Sequence, residues 1–442
     1  MQSGYLLTSQ YFKNAGTIWF ILGIFVSFIG DLELSFFIFK TSEFFWFGKL
    51  KPFYSNILIF GSIVSYFLSS VYWELESLKI DQKKPQIIAN LVFAIYQSGL
   101  VFGLITILFG KMEGRLYGEM NFISDNLILL SLTVVLVQLL IHSKKTDIFS
   151  EKLQFLVVIL TGMIVTFFLG NFGFPNSYIT TVPPTSGYQD AMVTEFYKNS
   201  ISIFFVLFPL IFLVYSTLGR TYNIQEESNL LAFLMIISVL IPFTSGSNLG
   251  LSPYQNFWTH IGNYLLSGIL VLVLGILYLN HNLYNKNKTE PLLVFTVIGI
   301  LLSLFVVFLL LSNLPILQKY FQFTVMDSSE FAQKLIFTNL PIFIMYNAVF
   351  YNDKRISKTI LYLVLIFSIL AFLFYLLEGI VTSKSFFSLN DQGELLIKEW
   401  SNIIEKEKIF ITLRIFLEVV MLFGAFYLIK YPLGNKINQG AN

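Results

Sequence analysis

About twelve long apolar stretches follow one another along the chain, each able to cross the roughly 30 Å of a bilayer's hydrocarbon as a helix. They lie near 16–38, 54–72, 87–110, 125–142, 154–172, 196–218, 228–246, 261–280, 292–312, 333–351, 359–381 and 409–430. No intervening segment is large enough for a soluble domain, so the sequence reads as a single polytopic membrane domain over 1–442. The expected fold is all-α and integral to the membrane. Composition agrees: 55% of residues are hydrophobic and 12% charged, whereas about a quarter are charged in an ordinary soluble protein. The first stretch lacks a small-residue cleavage site and exceeds a signal-peptide core in length, which makes it a retained span.

Orientation follows from the short loops, where Lys and Arg favour the cytoplasmic face. With the N-terminus inside, the inner segments carry Lys13, Lys79, Lys83, Lys84, Lys144, Lys145, Lys152, Arg220, Lys286, Lys288, Lys354, Arg355, Lys358, Lys430 and Lys436. The outer loops hold nearly as many, but four of theirs lie in the long segment 382–408. Both termini are therefore expected in the cytoplasm. The chain has 49 Phe and 23 Tyr, read as lipid-facing bulk and coding bias rather than an aromatic cofactor cage.

Cysteine is absent and only three histidines occur. That removes disulfides, thiolate metal sites, iron–sulfur clusters and covalent c-type heme attachment. His142, His260 and His281 fall at helix ends with no shared helical spacing, so they form no metal-ligand pattern. A net charge of +2 makes no case for nucleic acid.

Charges inside spans each cost a few kcal/mol at mid-bilayer and are the default functional suspects. They are Asp31, Glu33, Lys334, Glu378, Arg414 and Glu418. Arg414 and Glu418 are four apart, on one helix face, and are expected to pair within their helix or to serve a proton or ion relay. Asp31, Glu33, Lys334 and Glu378 sit toward helix ends, where the head groups can snorkel to the interface.

Three stretches together carry a family resemblance. Gly187-Tyr188-Gln189-Asp190-Ala191-Met192-Val193, continuing through Tyr197-Lys198-Asn199-Ser200 to Phe205, is similar to a family pattern Gln-Asp-Ala-Met-Val followed by Tyr-Gly-His-Asn. Leu50-Lys51-Pro52-Phe53-Tyr54-Ser55-Asn56 matches a family Leu-Arg-Pro-Leu-His-Thr-Asn, and Gly219-Arg220-Thr221-Tyr222 a family Arg-Pro-Val-Tyr. With the helix spacing, the long outer loops and the stretch from Glu378 to Tyr427, the chain resembles catalytic subunit I of the C-type (cbb-type) heme-copper cytochrome c oxidases over essentially its whole length.

The resemblance implies six histidine ligands for two hemes and a copper, and here each of those positions is changed. The low-spin heme ligand falls on Tyr54, a copper ligand on Asn199, an adjacent His pair on Asn248 and Leu249, and a His-x-His on Lys334 and Ile336, with the register of the last uncertain by a residue or two. The ligand-linked redox tyrosine falls on Pro242. Leu249, Ile336 and Pro242 offer no donor atom, so neither catalysis nor a bound cofactor or metal is expected.

The leading reading is thus a cofactor-free, catalytically inactive subunit I-like protein. It would act as a structural or assembly subunit of a respiratory complex in a bacterial inner membrane. Its partners would be membrane or periplasmic respiratory subunits, cytochrome-containing ones among them, together with lipid. Docking is expected at the Gly187–Glu195 loop, through Gln189 and Asp190, and at segment 392–408. In the latter Leu395, Leu396, Ile397, Trp400, Ile403 and Ile404 form an apolar stripe that suits a protein contact or a helix lying on the membrane surface. Two alternatives stay open. One is a transporter or proton channel, in which Glu378, Arg414 or Glu418 line a water-filled path; the other is an active heme oxidoreductase with non-standard ligands. An emptied heme pocket would leave a void that close-packed interiors do not tolerate. Bulky side chains or lipid are therefore expected to fill it, with Tyr54 and Asn199 pointing inward.

Overall fold

The computed structural model describes residues 4–36, 47–77, 83–111, 118–171, 173–175, 181–182, 193–194, 196–197, 200–222, 328–350, 358–386, 388 and 400–434. Apart from one short hairpin, β1 (Phe174–Pro175) against β2 (Thr181–Val182), the described chain is helical. Six of its helical stretches are long and apolar enough to cross a membrane: Tyr5–Leu34, Phe47–Glu76, Gln86–Leu108, Phe122–His142, Leu153–Asn171 and Lys408–Leu428. This is the make-up of an all-α, multi-pass membrane protein. The expected spans near 228–246, 261–280 and 292–312 lie outside the described residues.

The chain divides into two compact units, Met1–Gly23 with Pro52–Thr259, and Ile24–Lys51 with His260–Asn442. Helix α1 (Gly4–Phe36) contributes its first half to one and its second half to the other. It begins twelve residues before the expected Gly16 and draws Lys13 into the fold. Lys13 was expected among the cytoplasmic cations but is fully buried within the helix.

Helix α2 (Phe47–Asn56), which belongs to the first unit from Pro52 on, runs on through π1 (Ile57–Ile63) and α3 (Val64–Ser77) as one helical stretch, followed in that unit by α4 (Lys83–Leu108), α5 (Phe122–Thr146) and α6 (Glu151–Asn171). Short connections make α4, α5 and α6 sequential neighbours in space. The turn after α4 closes through Gly110 at φ 71°, with Gly110 N–H donating to the Ile107 carbonyl and Lys111 N–H to that of Thr106. This double bond pattern needs a left-handed residue, which glycine supplies without strain. Asn121 then caps α5: its side-chain oxygen accepts from Ser124 N–H at 3.0 Å while its amide donates to Thr106 at 2.9 Å, tying the cap to the previous helix.

Two seven-residue segments, π1 and π2 (Ile201–Leu207), wind more widely than an α-helix and pack against each other. The amide after each reaches back five residues, Val64 to Ile59 and Phe208 to Ile203. Pro209 enters α7 (Phe208–Tyr222) directly after π2. In a regular α-turn its ring would collide with the Phe205 carbonyl, and a widened turn avoids that. Small residues let the helices close up, as is usual between membrane helices. Gly61 of π1 lies against the Trp19 ring, 2.8 Å from where a Cβ would stand, and α6 presents Gly162 to Phe204 and Gly170 to Tyr197.

The second unit holds the rest of α1 with α8 (Ser328–Phe350), α9 (Lys358–Phe386) and α10 (Trp400–Gly434), the last three in mutual contact. Segment 392–408 was expected as a surface element apart from the last span, yet from Trp400 onward it is continuous with it. No Gly or Pro occurs between Trp400 and Phe423 to end the helix earlier. On α9 the exposed residues Leu363, Ile366, Leu370, Leu373 and Leu377 form a stripe at helical spacing, and on α10 Ile409, Phe416 and Phe423 recur every seventh position. Apolar stripes of that extent turned outward suit lipid and not water.

Candidate functional site

Arg414, one and a half turns into the apolar part of α10, is the centre of a buried ionic cluster. Its Nε and Nη2 donate to the two carboxylate oxygens of Asp31 on α1, at 2.6 and 2.9 Å. Nη1 donates to both oxygens of Glu378 on α9, at 2.8 and 2.9 Å. The planar guanidinium suits this arrangement because its fork matches a carboxylate in two parallel bonds while a further nitrogen remains free for a second partner. Asp31 is fully enclosed, and Arg414 and Glu378 are each 4% exposed.

Glu418, one turn beyond Arg414, is also fully enclosed. Its Oε1 accepts from Ser27 Oγ at 2.8 Å, and its Oε2 has no hydrogen-bond partner. Three successive pairs fix the packing of α1 on α10: the Lys408 ammonium 5.6 Å from the centre of the Phe36 ring, Arg414 with Asp31, and Glu418 with Ser27. Numbers fall along α1 as they rise along α10, so the two helices run antiparallel.

This geometry corrects two expectations. Arg414 and Glu418 do not pair along their own helix; Arg414 reaches to α1 and α9, and Glu418 reaches to Ser27. Asp31, Glu33 and Glu378 do not snorkel to an interface: all three are buried, and Asp31 and Glu378 are bonded to the same guanidinium. A carboxylate enclosed between packed helices needs a paired, hydrogen-bonded partner, and the guanidinium of Arg414 supplies one to Asp31 and to Glu378.

A second buried polar chain lies in the first unit. The backbone carbonyl of Gln138 accepts from His142 Nδ1 at 2.6 Å, which leaves Nε2 of the neutral ring to accept from the Tyr5 hydroxyl at 2.9 Å. Tyr72 completes it, its hydroxyl donating to Gln138 Oε1 at 3.0 Å and its ring stacked on Tyr5. His142 is thus a hydrogen-bonded core histidine. Tyr5→Phe is expected to leave Nε2 without its donor and to cost on the order of 1 kcal/mol. Thermal unfolding in detergent would read this, and the loss should vanish in a His142→Phe background.

Tyr54, at the position matched to a heme ligand, is fully buried just before π1. Farther along π1, Phe60 meets Phe167 of α6 and Phe205 of π2 with ring centres 5.5 and 5.3 Å away, and Phe167 and Phe205 are 5.7 Å apart. These three rings close on one another where the two π segments meet. Lys334 and Ile336 are helical positions of α8. Asn199, Pro242, Asn248, Leu249, Gln189, Asp190, His260 and His281 lie outside the described residues, and Trp400 is placed only as the first residue of α10. Among the described residues no group of three His, Asp or Glu side chains is placed to hold a metal ion.

Fold and buried cluster thus define a multi-pass helical membrane protein with an ionic lock between its helices. No protein-family model matches the chain, and no curated protein matches it.

Proposed function

We propose that the chain is a cofactor-free, catalytically inactive protein of the heme-copper oxidase subunit I type. It keeps a twelve-helix frame in a bacterial inner membrane with both termini cytoplasmic, and serves as a structural or assembly subunit of a respiratory complex. The observation that carries this reading is Tyr54 buried at a matched ligand position, in the same helical stretch as Phe60, whose ring packs with those of Phe167 and Phe205. A protein that had lost its hemes would have to fill the space they left to remain close-packed, and mutually packed rings are the kind of filling that this reading calls for. Arg414 supports the same reading, because a guanidinium bonded to two carboxylates acts as a brace between helices.

Gentle detergent extraction followed by mass spectrometry and visible spectroscopy on one sample tests both halves. Respiratory subunits should copurify, and no Soret absorption should belong to this polypeptide once they are stripped away. One heme or more per chain would overturn the proposal in favour of an oxidoreductase with unusual ligands.

A further inference from the structure

We infer that the Glu418 carboxyl is a binding site for one exchangeable proton, held between α10 and α1 inside the membrane domain. This site does not depend on the oxidase resemblance.

The inference rests on how donors and charges are shared. One guanidinium faces three carboxyls, and it places four bonds on Asp31 and Glu378. Both of those groups accept from the guanidinium through both of their oxygens. Glu418 lies within electrostatic reach of Asp31, Glu378 and Arg414, but its hydrogen-bond donor is the neutral Ser27 hydroxyl. Its second oxygen, fully enclosed, has no partner. An ionised carboxylate offers about four lone-pair sites and accepts only. Here it would stand as a third negative charge, fully enclosed, with one neutral donor. A proton on the unpartnered oxygen removes the charge and leaves Oε1 free to keep the Ser27 bond.

Arg414 is the one cation among the charged groups that act on Glu418; Lys49 and Lys51 of α2 lie in the same unit but are not among them. From α1 come Ser27, Asp31 and the buried Glu33, and from α9 Glu378, with Lys384 of that helix exposed. Helix α8 also packs on α10, and over 339–350 its side chains include one titratable group, Tyr346, and no charge. On α10 itself Glu405 and Lys408 are exposed. The ligand class is accordingly a proton, and the site is a single acid that exchanges it when the α1–α10 contact opens to water.

Infrared difference spectroscopy on the full chain in lipid nanodiscs reads this directly. At neutral pH the wild type should show a protonated-carboxyl carbonyl band that shifts in heavy water and disappears on alkaline titration. Glu418→Gln should lack that band, whereas Asp31→Asn and Glu378→Gln should keep it. An identical band in Glu418→Gln, or none in the wild type, overturns the inference. Loss of the band on replacing choline with Na+ at constant pH would make it a metal-cation site, and overturns it too. Should Glu418→Gln fail to fold, carbodiimide labelling of the wild type, which selects protonated carboxyls in apolar surroundings, should mark the peptide carrying Glu418. Labelling of Asp31 or Glu378 in its place would count against the assignment.

Discussion

Arg414→Met is expected to be the most damaging single substitution in the second unit, at about 3–5 kcal/mol. It leaves Asp31 and Glu378, both buried, without the cation that each holds in two bonds. Removing one partner of a buried ion pair costs far more than removing all of them, because the stranded charge must be neutralised or hydrated. The triple variant Arg414→Met, Asp31→Asn, Glu378→Gln should therefore recover much of the loss. Arg414→Lys should rescue poorly, since an ammonium lacks the fork that serves two carboxylates together. Thermal unfolding in detergent or lipid, followed by helical circular dichroism, orders the three variants. An Arg414→Met protein as stable as wild type would show that the triad contributes no net stability.

The second large effect is expected in the first unit, at the glycines of α6. A Cβ on Gly170 would overlap the ring of Tyr197, and one on Gly162 the ring of Phe204. Tyr197 is fully buried and Phe204 nearly so, so neither ring has space into which to withdraw. Overpacking of this kind costs about 1–3 kcal/mol per site, and Gly162→Ala with Gly170→Ala should approach the sum, since the residues lie two turns apart. The diagnostic experiment is a double-mutant cycle. Tyr197→Ala should be destabilising alone yet partly relieve Gly170→Ala, and should leave Gly162→Ala untouched. Additive costs for Gly170 and Tyr197 would mean that the ring does not limit the approach of α6.

Much of this was legible in the sequence, because hydrophobic length is a direct readout of membrane helices and needs no tertiary information. The six membrane-length helices lie over expected apolar runs. Boundaries were less legible. Lys13 breaks the hydropathy of the first run and hid the start of α1, and the charges from Glu405 to Lys408 hid the continuity of α10. At the cluster, the residue types were legible and the pairing was not. Arg414 and Glu418 are local neighbours on one helix, whereas the partner that Arg414 takes on α1 is 383 residues away in sequence. Ser27 gave no signal at all. Ser and Thr in such helices commonly bond the carbonyl one turn back, as Ser368 and Thr382 do here, and nothing local separates a serine that instead reaches a carboxyl. The two π segments read like any apolar helix, and only Pro209 hinted at one of them.

Helix α10 is 35 residues long, about 52 Å at the usual rise. Even at a tilt of about 40°, the upper end of what membrane helices adopt, it covers about 40 Å along the normal, some 10 Å more than the hydrocarbon. Its apolar portion runs from Lys408 to Leu428, so the excess is divided between the turns after Trp400 and those before Gly434. Arg414 stands fourteen residues down the same unbroken rod, about 21 Å from that end. The turn at Trp400 and the ion pairs to Asp31 and Glu378 thus belong to one continuous helix, with no break between them.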